Sequence, residues 1–227
     1  GRHTYEVVVE EDGKKINFNS PNDIAVAPDQ GIWFTDPTYG SIQGFRPKPA
    51  KAPNSIYRVD PETRKVKRVI DLGGDEEGKG CKPNGLCFSS DGRSLYFTNT
   101  TLEDRSIWKV CLNDKGDDVA EGAKPEHVAR VAPACPENNE SIPDGLKSVD
   151  GLLLTSRGAS LAFVDPAKKE LVGEFELGDH FDSVTNFALS EDGNLLAVVG
   201  GGTVAILARK QDKPSLPAFP KAEVDTS

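Results

Sequence analysis

The sequence predicts an all-β protein, a β-propeller, on three observations. A proline followed by Asn or Asp and then by a strand-like run recurs at Pro21-Asn22-Asp23, Pro83-Asn84-Gly85 and Pro143-Asp144-Gly145. The intervals, 84 − 22 = 62 and 144 − 84 = 60 residues, are longer than a solenoid repeat and suit a module of four strands with generous loops. Between the motifs lie short apolar runs with Gly, Pro and Asp turns and almost no helical periodicity. A β-sandwich also has short strands and frequent turns, but it does not predict one dipeptide returning in phase about every 60 residues.

Each module opens with a strand pair. The pairs are residues 22–26 with 31–35, 84–88 with 94–98, 144–149 with 152–156 and 186–189 with 195–199. Pro28-Asp29-Gln30-Gly31, Ser90-Asp91-Gly92, Asp150-Gly151 and Glu191-Asp192-Gly193 supply the tight turns between them. Two outer strands follow in each of the first three modules, at 55–60 and 66–72, 106–112 and 127–131, and 160–165 and 170–177. Residues 203–208 form the last strand. Residues 1–207 are therefore read as one propeller domain, and 208–227 as a Pro/Lys-rich tail. In a blade of up-and-down strands the first strand lines the central channel. The phased residues Asn22, Asn84, Asp144 and Asn186 should then meet at its mouth, walled by 36–40, 100–105, 156–158 and 178–183.

The remaining composition narrows the class. The 227 residues carry a net charge of −9, which argues against a nucleic-acid partner, since phosphate binding needs a basic excess. No apolar run approaches the roughly 20 residues of a membrane-spanning helix, so no membrane partner is expected. Cys81, Cys87, Cys111 and Cys135 contain no Cys-x-x-Cys pair, which argues against a structural zinc site. Cys87 and Cys111 read as buried free thiols in strands. Asn99-Thr100-Thr101 and Asn139-Glu140-Ser141 would permit glycosylation in a secreted protein; cytoplasm is slightly favoured, and the compartment and oligomeric state stay open.

Amide oxygens plus a carboxylate, without phased His or Cys, form an oxygen-only set. Such a set suits a hard cation, Ca²⁺ before Mg²⁺. A cation there can polarise a carbonyl and activate water, so hydrolysis of an ester-like bond is the expected chemistry. Asp23 stands where the other modules have Gly85 and Gly145. It could accept a proton from the attacking water, or merely hold a strand start through a backbone hydrogen bond. The same bland role is open to Asn22, Asn84 and Asp144. His180 falls at the expected channel mouth, where it could touch substrate. Trp33 and Trp108 read as packing residues.

At these residues the chain resembles the SMP-30/gluconolactonase/LRE-like family of six-bladed propeller lactonases. The likeness runs through NSPNDIAVAPDQGIWFTDPTYG (19–40), KPNGLCFSSDGRSLYFTNT (82–100), PDGLKSVDGLLLTS (143–156) and VTNFALSEDGNLLAVV (184–199), in the family's order. The resemblance implies about four and a half blades in this chain, the first blade and part of the second being absent, with residues 2–10 an outer strand. It implies that Asn84 and Asp144 bind a divalent cation, usually Ca²⁺ although Mg²⁺, Zn²⁺ or Mn²⁺ can serve. Asn22 would contact the metal or the substrate, and Asp23 would be the general base. Asn186, Tyr39, Asp36 and His180 are the expected substrate-side residues. The implied reaction opens a small-molecule sugar lactone to its aldonic acid; related propellers hydrolyse aryl esters or organophosphates, and a non-catalytic scaffold is the remaining alternative. The family's further ligand, a glutamate in a Glu-Gly-Pro motif, has no counterpart in this sequence.

Overall fold

In a computed structural model, residues 8–11, 14–45, 52–74, 80–132, 142–178, 181–190 and 192–209 are described. They form successive antiparallel sheets in chain order. A hairpin of β1 (Val8–Glu11) and β2 (Lys14–Asn17) comes first. Blade I is β3 (Ile24–Val26), β4 (Ile32–Asp36), β5 (Ser55–Val59) and β6 (Val66–Asp71), with a single helical turn α1 (Tyr39–Ile42) between β4 and β5. Blade II is β7 (Pro83–Phe88), β8 (Ser94–Thr101), β9 (Asp104–Cys111) and β10 (Glu126–Arg130). Blade III is β11 (Leu146–Val149), β12 (Leu152–Arg157), β13 (Ser160–Asp165) and β14 (Glu170–Glu176). Blade IV has three strands among the described residues, β15 (Asn186–Leu189), β16 (Leu195–Gly200) and β17 (Thr203–Ala208). This is the up-and-down order of propeller blades, as the repeat predicts. The β2 strand and the α1 turn are additions that the apolar pattern did not signal.

Alternation along the strands explains why the sheets stack. In β4 and β5 one set of side chains, with Trp33 and Ile56 fully buried, packs on Leu86, Leu95, Phe97 and Val110 of blade II. Ile107, Val128 and Tyr96 of blade II meet Leu146, Leu153 and Val164 of blade III. Leu154 and Leu161 of blade III meet Phe187, Val198, Ala205 and Leu207 of blade IV. The core is thus a series of seams between neighbouring blades rather than one central mass. At the ends of the array one apolar face stays open: Ile24, Val26 and Ile32 on blade I, and Leu195, Val199, Val204 and Ile206 on blade IV.

Several expectations meet the structure here. Cys87 is buried, but Cys111, at the end of β9, is exposed, because the strand has already left the seam. Trp33 packs in the core as expected. Trp108 is half-buried, with its indole N–H donating to Asp104 Oδ2 at 2.9 Å. The Asn99 sequon is a structural position: Asn99 is buried and its amide donates to Asp104 Oδ2 at 3.0 Å, leaving no room for a glycan. Asn139, Cys135, His180 and residues 210–227 lie outside the described residues. No helix among the described residues is long and apolar enough to cross a membrane.

Candidate functional site

The seams bring the phased motifs together through backbone bonds. Between blades II and III the amide of Gly85 donates to the carbonyl of Asp144 at 2.9 Å, and the buried Thr98 hydroxyl donates to the same oxygen at 3.1 Å. Between blades III and IV the amide of Gly145 donates to the carbonyl of Thr185 at 2.9 Å. The first contact demands glycine, and at the second a side chain would crowd the end of Asn186. A Cβ on Gly85 would stand 2.2 Å from the Asp144 carbonyl oxygen and 2.5 Å from the Leu146 nitrogen; one on Gly145 would stand 2.6 Å from Asn186 Oδ1.

Between blades I and II the arrangement differs. The Asp23 amide donates to Thr35 Oγ1 at 3.1 Å, and that hydroxyl donates to the carbonyl of Asn84 at 2.9 Å. A hydroxyl is interposed, so the strands do not close directly on each other and a side chain fits where the other blades have glycine. This explains the departure from the repeat at Asp23. Its Oδ1 accepts from its own neighbour's amide, Ile24, at 2.9 Å, which is the strand-start role. Its Oδ2 is buried without a hydrogen-bond partner, and the Lys147 ammonium stands 3.9 Å away. One oxygen holds the strand start and the other faces Lys147, near Asp144.

Asn84 owes its placement to a bulge. The register of β7 on β8 shifts between Pro83, opposite Asn99, and Leu86, opposite Phe97, so β7 carries one extra residue at Asn84-Gly85. Bulges of this kind re-aim side chains. Asn84 is buried, and its Oδ1 has no hydrogen-bond partner. An orphaned buried acceptor costs about 1–3 kcal/mol and calls for an explanation.

Asp144 lies next to it, its backbone amide fixed on Ser156 Oγ at 2.8 Å. Burial, reinforced by the Asp23 carboxylate, pushes the Asp144 carboxyl up to about 7, against the opposing pull of the Asn84 hydrogen bond and the Lys147 charge. Tyr39, delivered by α1, completes this side. Its phenol hydrogen-bonds the Thr100 hydroxyl, and burial raises its pKa against the opposing pull of the Thr100 and Asn84 side chains. The Cys87 thiol, near Lys147 and Asp23, is pushed up to about 12, chiefly by burial, and is inert at neutral pH.

The expected residues therefore separate. Asp23, Asn84, Asp144, Asn186 and Tyr39 form a linked set, Asn186 through its Oδ1, which accepts from Lys147 Nζ at 3.4 Å and from the Phe187 amide at 2.9 Å. Asn22 is exposed beside Asp23, its amide donating to the Thr35 carbonyl at 2.9 Å. Asp36 is fully buried and sits apart from that set. Its oxygens accept from the amides of Asn19 at 2.9 Å and Ser20 at 2.7 Å, because it clamps the segment ahead of the Pro-Asn motif. Asn99 does the same in blade II, accepting from the Lys82 amide at 3.0 Å. Thr100 falls in the 100–105 segment expected to wall the channel mouth, whereas Lys147 and Thr35, which contact this set, are not signalled by the phased Pro-Asn and Pro-Asp motifs themselves. The phased Phe-Thr and Leu-Thr pairs at Thr35, Thr98 and Thr155 were a signal for Thr35; Lys147 has no counterpart in phase.

An oxygen-only cation set is consistent with these observations: the orphaned Asn84 amide oxygen and the half-buried Asp144 carboxyl beside it, with Asp23 Oδ2, also without a hydrogen bond, nearby. Among the described residues no three His, Cys, Asp or Glu side chains converge as a metal site; this set mixes amides with carboxylates.

Comparison with known proteins follows the same lines. The chain is 32% identical over 111 residues to a gluconolactonase of Zymomonas mobilis, covering 48% of this chain and 29% of that protein. It is 28% identical over 208 residues to lactonohydrolase oryL of Aspergillus oryzae, covering 83% of this chain and 44% of that one. Among solved structures, a gluconolactonase of Xanthomonas campestris superposes with a TM-score of 0.66 at 26% identity, over 88% of this chain and 63% of that chain. Regucalcin of Agrobacterium tumefaciens, a calcium-binding protein, shares the fold with a TM-score of 0.58 at 19% identity, over 85% of this chain and 55% of that chain. The chain thus spans less than two thirds of the length of each of these relatives. The SMP-30/Gluconolactonase/LRE-like family model matches residues 1–199, and the chain belongs to that family.

Proposed function

We propose that this chain carries the reaction site of a lactone hydrolase that opens a sugar lactone, of the glucono-1,5-lactone type, to its aldonic acid with the help of a divalent cation, Ca²⁺ first. One observation carries the reading: the orphaned Asn84 Oδ1 lies beside a carboxyl, Asp144, that burial and Asp23 hold near neutrality. The gluconolactonase and lactonohydrolase relatives support the choice of substrate.

Asn84 and Asp144 would hold the cation, with Asn22, exposed beside Asp23, contacting the ion or the substrate. When bound, such an ion supplies a Lewis acid that polarises the lactone carbonyl. Asp23 Oδ2 takes one proton from the attacking water as its oxygen bonds to the carbonyl carbon. The bond from that carbon to the ring oxygen then breaks, and the ring oxygen leaves as the alcohol after regaining the proton. Tyr39, held by Thr100, and Asn186, held by Lys147, would hydrogen-bond the sugar hydroxyls. Because a cation needs the ionised carboxylate, its binding should release a proton from Asp144 and weaken as pH falls below about 7.

The test is acid release from glucono-1,5-lactone in a pH-stat. The expected outcome is a rate above the spontaneous one, lost with EDTA and restored by Ca²⁺, and lost in Asp144→Ala and Asn84→Ala. An EDTA-insensitive rate equal to background would remove the reading for this chain. A scaffold reading draws on the Asp23 Oδ1 bond to the Ile24 amide. On that reading Ca²⁺ leaves the melting temperature unchanged, whereas a site present only in the folded state raises it.

A further inference from the structure

We propose that Lys147 is a positioning residue of this site, its ammonium tying the Asp23 carboxylate of blade I and the Asn186 amide of blade IV into one unit. The kinetic part of the proposal rests on the lactonase reading; the pairing itself does not. Lys147 lies on β11 of blade III, in the strand that follows Asp144 and Gly145. Its Nζ stands 3.9 Å from Asp23 Oδ2, 3.4 Å from Asn186 Oδ1 and 5.8 Å from the centroid of the Phe187 ring. One side chain therefore reaches two other blades.

The three contacts restrain different freedoms. The Phe187 face supports the cation, as aromatic faces do. Asn186 accepts from Nζ through the same oxygen that accepts from the Phe187 amide, so its amide group is fixed in orientation with the nitrogen left to donate elsewhere. Asp23 Oδ2 is buried without a hydrogen bond, and among the described residues Lys147 is the cation within ion-pair distance of it. At 3.9 Å the attraction directs the carboxylate without occupying its lone pairs, which leaves Oδ2 able to accept from a water. Both side chains are withdrawn from bulk solvent, with 30% of Lys147 and 11% of Asp23 exposed, so the attraction is only partly screened. Without the ammonium, Asp23 would keep the Oδ1 bond to the Ile24 amide, but its Oδ2 would face the Asp144 carboxyl without a counter-charge.

The experiment uses the whole chain with Lys147→Met, Lys147→Arg, Asp23→Asn and the Asp23→Asn/Lys147→Met double variant, read by thermal unfolding and by lactone opening. The double variant should lose less in melting temperature than the sum of the two single losses, since each removes the same pair. In kinetics Lys147→Met should lower kcat about 10- to 100-fold with KM within about twofold, Lys147→Arg should recover most of it, and the double variant should be no slower than Asp23→Asn. Additive thermal losses overturn the proposal, as does an unchanged kcat. A raised KM at constant kcat also overturns it, because Lys147 would then bind substrate directly. If the wild type opens no lactone above background, the lactonase reading fails by itself and the thermal cycle decides the pairing.

Discussion

Two seams of the same array are built from the same parts and end in different chemistry. Between blades II and III, the Gly85 amide reaches the Asp144 carbonyl directly, at 2.9 Å, and the Thr98 hydroxyl only adds to that oxygen. Between blades I and II, the Thr35 hydroxyl stands in the middle, accepting from the Asp23 amide at 3.1 Å and donating to the Asn84 carbonyl at 2.9 Å. The direct seam forbids a side chain. The seam with the interposed hydroxyl admits one, and the residue admitted is a carboxylate whose second oxygen is buried, without a hydrogen bond, near Asp144 and Lys147. A threonine repeated for the sake of the fold thus becomes, at one seam, the support of the strand start that carries the proposed general base.

The sharpest way to break this comparison is to put a side chain where the direct seam stands. Gly85→Ala would place a methyl 2.2 Å from the Asp144 carbonyl oxygen and 2.5 Å from the Leu146 nitrogen, both backbone atoms of the adjoining strand that cannot turn aside. The expected cost exceeds about 4 kcal/mol, the range reserved for severe backbone and packing conflicts, with loss of cooperative unfolding as the readout. A folded Gly85→Ala protein with a near-normal melting temperature would show that the seam is looser than its contacts imply.

The converse substitution makes the first seam resemble the second. Asp23→Gly keeps the amide that bonds Thr35 and removes both carboxylate oxygens, so the fold should survive with a loss of about 1 kcal/mol for the added glycine freedom. Lactone opening should fall about 100-fold or more, as expected when a general base is lost. Circular dichroism and melting report the first effect, and the pH-stat rate reports the second. Loss of fold together with activity would make Asp23 a structural residue and return the strand-start bond to Ile24 as its main role.

Much of the fold was legible because three of the four inner hairpins repeat one short code, an Asn or Asp after proline, an apolar run, a turn and a second run that reaches Thr. Strand edges fell within a few residues of the expected ones where that code was present, as at β7 (Pro83–Phe88) and β12 (Leu152–Arg157). The β2 strand and the α1 turn escaped because neither carries apolar alternation long enough to register a period. At the site, the phased residues Asn84, Asp144 and Asn186 could be named in advance, since phase alone places them at one level. Asp36 also stood in a conspicuous motif, yet its carboxylate is used by the amides of Asn19 and Ser20, a pairing across 16 and 17 residues that no local pattern reveals. Lys147 was invisible for the opposite reason: its partners belong to blades I and IV, and its position in the repeat is unique.

The two threonines offer the finest test of the difference between the seams. Thr35→Val removes the bridge, so the Asp23 amide loses its acceptor and the Asn84 carbonyl loses its donor in a fully buried place. Unsatisfied buried groups cost about 1–3 kcal/mol each, and at least one such loss should appear in the unfolding free energy. Thr98→Val removes an equally buried hydroxyl, but the Asp144 carbonyl keeps the Gly85 amide, so the loss should stay at about 1 kcal/mol or less. Valine preserves shape at both positions, which confines the comparison to the hydroxyl. Denaturant unfolding of the two variants side by side gives the measurement, and activity gives a second: Thr35→Val should also lower kcat, because it loosens the strand that carries Asp23, while Thr98→Ser and Thr35→Ser should restore each property. Equal losses at the two threonines would mean that the interposed hydroxyl is incidental and that the space around Asp23 is set by the strands themselves.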